Sequence, residues 1–108
     1  QEKAIQWAND RNIFENSDAT KQISKTQEEL DETLDALKKL DLYKKSDNQL
    51  IRSEIMNEVA DGIGDMLVTI ILLAKMVGLD SVDCLAAAYE EIKDRKGKMI
   101  DGLFVKER

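Results

Sequence analysis

A chain of 108 residues with 43% hydrophobic residues is one domain with enough apolar content to fold. Its net charge of −6 argues against a nucleic acid as main partner, because duplex-binding domains carry a basic surface. The absence of histidine removes the Ser-His and Cys-His nucleophile systems and imidazole metal ligands, and the single Cys84 removes any intrachain disulfide.

With no proline, five glycines and 35% charged residues, the composition is that of an all-α helical bundle. The first predicted helix covers about residues 1–10, with Ile5 and Ala8 apolar and Trp7 beside them. A polar stretch follows over 12–18, where Ser17 or Asp18 is a suitable N-cap. The second helix is expected over about 19–39, with Ile23, Leu30, Leu34 and Leu37 as its stripe, and 40–45 as a loop. Ser46 or Asp47 can cap a long third helix over about 49–77, closed by Gly78. Asp80 caps a fourth helix ending near Gly97, with Val82, Leu85, Tyr89 and Ile92 on one face and Cys84 as a small buried residue. Residues 99–105 read as a hairpin around Asp101-Gly102. The expected architecture is thus a single four-helix bundle-type domain over residues 1–108 with a short C-terminal hairpin. The longest apolar run falls well short of a membrane span, so neither a membrane nor a nucleic acid is expected as partner, and a cytoplasmic setting is.

The acidic residues are placed unusually. Glu28, Glu29 and Glu32 cluster on the second helix, and Glu58, Asp61 and Asp65 follow at i, i+3 and i+7 on the third. Asp65 leads directly into Met66-Leu67-Val68-Thr69-Ile70-Ile71-Leu72-Leu73-Ala74, and a helix so apolar is normally buried. At 100° per residue, a core stripe centred on Leu67 takes in Met56, Ile63, Ile70 and Ile71 and leaves the acids roughly opposite. Leu72 points to the acidic side, so that side is covered too, by other helices or by another subunit. Carboxylates entering an interior need a compensating charge, and oxygen-only ligands suit a hard cation, Mg²⁺ or Mn²⁺. A third helix apolar on all sides also calls for at least a homodimer, and a homotetramer is a natural extension.

Glu28-Glu29-x-x-Glu32, then 25 residues, then Glu58-x-x-Asp61 resembles the EExxE…ExxD signature of the MazG-like proteins, all-α nucleoside triphosphate pyrophosphohydrolases. The resemblance extends from Gln6-Trp7-Ala8 through Ile63-Gly64-Asp65-Met66-Leu67-Val68 to Ala88-Tyr89-x-Glu91-Ile92-Lys93-Asp94-Arg95-Lys96-Gly97-Lys98-Met99 and Gly102-x-Phe104-Val105, as in the short single-domain subtype. It implies hydrolysis of NTPs or dNTPs to monophosphate and pyrophosphate, by attack of a metal-activated water at the α-phosphorus, for nucleotide house-cleaning. It implies metal ligands among Glu29, Glu32, Glu58, Asp61 and Asp65, with Glu28 or Glu29 orienting the water. Lys93, Arg95, Lys96 and Lys98 are the candidate phosphate-binding residues, and Trp7, Gln6 and Asn9 the candidates for holding the base. One position departs from the family pattern: Gly62 stands where many relatives have the glutamate. Two registers follow, one with Glu58 and Asp61 as ligands and Asp65 behind them, the other with Asp65 as ligand and Glu58 or Asp61 replacing the missing glutamate. The competing expectation is a non-catalytic helical interaction or regulatory module that kept the fold.

Overall fold

Two long antiparallel helices carry the structure. The computed structural model describes residues 1–107, and in order they form α1 (Glu2–Asp10), α2 (Ile13–Asn16), α3 (Ala19–Tyr43), α4 (Gln49–Met76), α5 (Ser81–Ile92), β1 (Gly97–Ile100) and β2 (Leu103–Lys106). The chain is therefore mostly helical, as the composition predicts.

The helix ends follow local chemistry. Asp18 accepts a hydrogen bond from the Lys21 amide at 2.9 Å and starts α3. Asn48, rather than Ser46 or Asp47, caps α4, accepting from the Ile51 amide at 3.2 Å; the Ser46 hydroxyl is used one step earlier, on the Asn48 amide. The end of α4 is a complete Schellman motif, with Gly78 at φ +79°, its amide on the Lys75 carbonyl at 3.1 Å and the Leu79 amide on the Ala74 carbonyl at 2.8 Å. Asp80 caps α5 through the Val82 and Asp83 amides, and this bonding holds its carboxyl below the usual aspartate range. Asp101 and Gly102 both take positive φ, which gives the two-residue hairpin that pairs Ile100 with Leu103.

Two expectations about element bounds are corrected. The helix predicted to stop at residue 39 continues to Tyr43, because nothing in 40–43 breaks it: Leu40 and Leu42 are good helix formers. The helix predicted to reach Gly97 stops at Ile92. The polar stretch over 12–18 also hides a turn of helix, α2, entered through Asn12 in the left-handed region at φ 58°.

The larger correction concerns the core. The buried apolar residues are Ala8, Ala36, Ile55, Val59, Leu72 and Ala74, joined by Gln22, Thr33 and Thr69. The α3–α4 seam thus holds small and polar side chains, and the buried Gln22 amide donates to the Thr69 carbonyl at 3.0 Å across it. The stripe centred on Leu67, with Met56, Ile63 and Ile70, is about half exposed, as are Ile23, Leu30, Leu34 and Leu37 of α3. Cys84 is exposed, and no residue of α5 is buried. In place of a closed bundle, α5 leaves α4 at 99° and packs on little else. The radius of gyration, 17.4 Å, exceeds the roughly 13 Å expected of a compact domain of this length. No single helix among the described residues is long and apolar enough to cross a membrane.

Candidate active site

The seam that zips α3 to α4 also sets their acids face to face. Thr33 and Ala36 of α3 and Ile55, Val59 and Gly62 of α4 lie within it. Glu58, Asp61 and Asp65 project from the adjoining face of α4, and Glu32 from the adjoining face of α3. Together with Ala36 and Gly62 these four acids line a cleft of about 230 Å³.

Gly62 belongs to the packing. A Cβ placed there would meet the Thr33 side chain, with the Thr33 Cβ at 3.1 Å and its hydroxyl nearer still. That hydroxyl is engaged with the Glu29 carbonyl at 2.8 Å. The missing side chain is what lets α3 and α4 approach closely, so a glutamate at 62 has no room at this helix spacing.

Glu29 is the most constrained acid. Its side chain is only 13% exposed, and its Oε2 is sealed from solvent with no hydrogen-bond partner. Burial, then the charges of Glu32 and Asp65, push its carboxyl above the usual glutamate range, with Lys25 pulling the other way. A buried carboxylate oxygen without a donor is costly, and like charges on both sides add to that cost. Glu28 differs: it faces outward, half exposed, and pairs with Lys25 at 3.2 Å. Sequence reasoning set Glu28 and Glu29 side by side; the structure separates them into an outer and an inner carboxylate.

Across the cleft, Lys39 of α3 pairs with Glu58 of α4 at 3.2 Å. Among the described residues this is the one ion pair that joins two helices, since the others are local along the chain. Sequence reasoning passed over Lys39, although it lies seven residues after Glu32 and so on the same side of the helix. As they stand, no three carboxylates among the described residues converge closely enough to chelate a metal ion. The chemistry of the cleft lining still suits a hard cation: carboxylate oxygens only, from two facing helices.

The other expected site residues lie elsewhere in the chain. Lys93 follows α5, paired with Glu90 at 2.6 Å, and Arg95, Lys96 and Lys98 lead into the hairpin, whose main packing is between its own two strands. Trp7, Gln6 and Asn9 stand on α1, which lies along the C-terminal half of α4: Ile5 and Ile71 line one cleft, and the Gln1 amide bonds Asp80 at 2.6 Å. Trp7 is 43% exposed, with the Arg11 guanidinium 4.6 Å from its ring centroid. Gln6 donates to Asp10 at 2.8 Å. Neither the basic tail nor the α1 residues line the acidic cleft.

Comparisons with protein-family models, with curated proteins and with solved structures gave no match to this chain.

Proposed function

We propose that the chain is a MazG-like nucleoside triphosphate pyrophosphohydrolase, using Mg²⁺ or Mn²⁺ to split NTPs or dNTPs into monophosphate and pyrophosphate. The observation that carries this reading is Glu29: a mostly buried carboxylate with an unpartnered oxygen, pressed by Glu32 and Asp65. A cation between the two helices would relieve the repulsion that Glu32 and Asp65 exert on Glu29.

Glu32, Glu58, Asp61 and Asp65 are the residues that would hold the cation, with Glu29 beside them. When bound, a divalent cation there neutralises the triphosphate and lowers the pKa of water. Glu29, where it is not bound to the cation, would orient the attacking water and take its proton. The new bond forms from that water oxygen to the α-phosphorus; the bond to the α–β bridging oxygen breaks, and pyrophosphate leaves. Glu28, exposed and paired with Lys25, is the weaker candidate for this role. The packing role of Gly62 gives its lack of a side chain a reason other than decay of the site, and Glu58, Asp61 and Asp65 all line the cleft, as both registers require.

The same reading assigns the open surface to further copies of the chain. The total accessible surface, 8601 Å², exceeds by about 2,500 Å² the roughly 6,100 Å² of a compact monomer of this mass. Two such chains together carry about 5,000 Å² of excess, at the upper end of the roughly 2,000–5,000 Å² that obligate homodimers bury in total. Stacking of such subunits offers Lys93, Arg95, Lys96 and Lys98 a route to the phosphates of a neighbouring cleft, and Trp7 a route to the base.

Incubation with canonical NTPs and dNTPs, with and without Mg²⁺, tests the reaction by its products. Monophosphate and pyrophosphate are expected with metal only. Glu32→Gln and Asp61→Asn should each lower turnover by at least about 100-fold with the helical circular dichroism unchanged. Wild-type turnover in either variant would remove that residue from the site. A folded protein that turns over no nucleotide would point to the non-catalytic helical module.

A further inference from the structure

We infer that the groove at the turn between α3 and α4 binds a small phosphomonoester, its phosphate anchored by Arg52, at a place separate from the acidic cleft. The groove holds about 670 Å³ and is lined by Leu40 and Lys44 from α3 and its end and by Arg52 and Met56 from α4. The inference does not rest on the metal-dependent reading above.

The chain has 22 acids against 16 bases, yet this lining contains two cations and no carboxylate. Arg52 is the informative residue. It is half-buried and enters no ion pair among the described residues. Its Nε is sealed from solvent without an acceptor, so one donor of a permanent charge goes unmet. A cation held in this way lacks both full hydration and a counter-charge, and an anion in the groove supplies the second. The planar guanidinium presents paired N–H donors that match two phosphate oxygens. Lys44 adds a second charge, since its local pair with Asp41 is exposed at both ends and therefore weak. The side chains of Gln49, Ser53 and Asn57 bring further donors to the same space. Asn48 already caps α4, so the groove attracts through side chains and not through a free helix end. Leu40 and the half-exposed Met56 form an apolar wall, which suits the organic part of an ester and gives it an advantage over bare phosphate. At 100° per residue, Arg52 and Met56 lie roughly opposite Glu58, Asp61 and Asp65 on α4, so the acids of the cleft do not face the ligand.

The test uses the full chain in metal-free buffer with a chelator, which leaves the acidic cleft no cation with which to attract a phosphate. The probes are inorganic phosphate and phenyl phosphate, titrated while heteronuclear NMR follows the Arg52 Nε–H group and the backbone amides of Ser53 and Asn57. Both probes should shift these signals saturably, with phenyl phosphate binding about tenfold more tightly. Arg52→Gln should weaken phenyl phosphate by at least about tenfold, and Arg52→Lys by less, because the charge stays and only the fork is lost. Lys44→Gln should weaken it by about threefold. Asp61→Asn should bind as the wild type does, which sets the groove apart from the cleft. Shifts reproduced by sodium chloride at equal ionic strength would mean screening alone and overturn the inference. So would wild-type affinity in Arg52→Gln, or loss of binding in Asp61→Asn. Equal affinity for the two probes overturns the role of Leu40 and Met56. An Arg52→Gln variant with unchanged helical circular dichroism but half the mass by light scattering would assign the groove to a second copy of the chain, which also overturns the inference.

Discussion

Glu29 is the carboxylate that folding strains most in the α3–α4 seam. Its carboxylate is mostly buried, its Oε2 has no partner, and Glu32 and Asp65 hold its pKa up. The linkage has a definite sign. In the unfolded chain the group ionises near the model value of 4.5; in the folded chain it keeps its proton to higher pH. Between those two values the native state binds more protons, so Glu29 subtracts stability as pH rises through this window, and the deficit persists above it. Glu29→Gln removes the charge and keeps the shape. In metal-free buffer the variant should melt above the wild type, each 1 kcal/mol recovered appearing as about 4–8 °C. The gap should be small near pH 4.5 and widen toward neutrality. The same substitution should abolish metal-dependent turnover. Melting curves with a chelator from about pH 4 to 8 check the first half, and a gap that does not change with pH would rule out Glu29 as the strained group. Added Mg²⁺ should raise the melting temperature of the wild type more at pH 8 than at pH 5, since a cation must displace the Glu29 proton at the lower pH.

At the scale of elements, the α3–α4 seam depends on the Gly62–Thr33 contact. Gly62→Ala puts a methyl group against the Thr33 side chain, and the helices must separate or Thr33 must turn away from the Glu29 carbonyl. A loss of about 1–3 kcal/mol is expected from such overpacking. Thr33→Ala in the same chain should recover part of it, and a double-mutant cycle of denaturant midpoints measures the coupling. Simple additivity would mean that the two residues do not meet. The seam also shows what sequence could and could not convey. Caps at Asp18 and Asp80, the stop at Gly78 and the Asp101-Gly102 turn were legible, because each rests on a short-range hydrogen bond or a single backbone angle. The acids of the cleft were legible as a group, since their i, i+3, i+7 spacing fixes a shared face. The seam itself was not. Hydrophobic periodicity marks faces that avoid water and does not say which partner covers them, so the Leu67 stripe of α4 was read as the core of the chain. The faces that meet within the chain carry Gln22, Thr33, Ala36 and Gly62, whose small or polar side chains give no apolar signal. Lys39 was illegible for a related reason: only the closeness of Glu58 across the helices sets it apart from Lys38 beside it.

At the scale of the whole molecule, one number sets the problem. The chain has 8601 Å² of accessible surface, and among the described residues no large side chain is fully buried. The surplus surface is strongly patterned. Leu67, Ile63 and Met56 continue along one face of α4, Leu30, Leu34 and Leu37 along one face of α3, and Val82, Leu85, Tyr89 and Ile92 along α5. Exposed apolar patches of this extent mark interfaces. A heterologous contact between unlike patches would build rings or filaments, whereas a self-complementary pairing of the α3–α4 faces would close as a dimer. The outward-turned α5 and the hairpin can then embrace the partner. Light scattering at micromolar concentration should give two or four times the 12.2 kDa of the chain. Leu67→Glu provides the sharper trial. In a monomer this change at a residue 55% exposed would cost little. In a paired assembly it buries a charge without a partner at the centre of the interface, and the expected result is dissociation together with a large fall in melting temperature. If the proposed dimer carries the proposed activity, turnover should fall in parallel, since the cleft lies between the two helices that the pairing would support. A 12.2 kDa species in the wild type, or a Leu67→Glu variant with unchanged mass and melting temperature, would show that these faces do not meet a second copy.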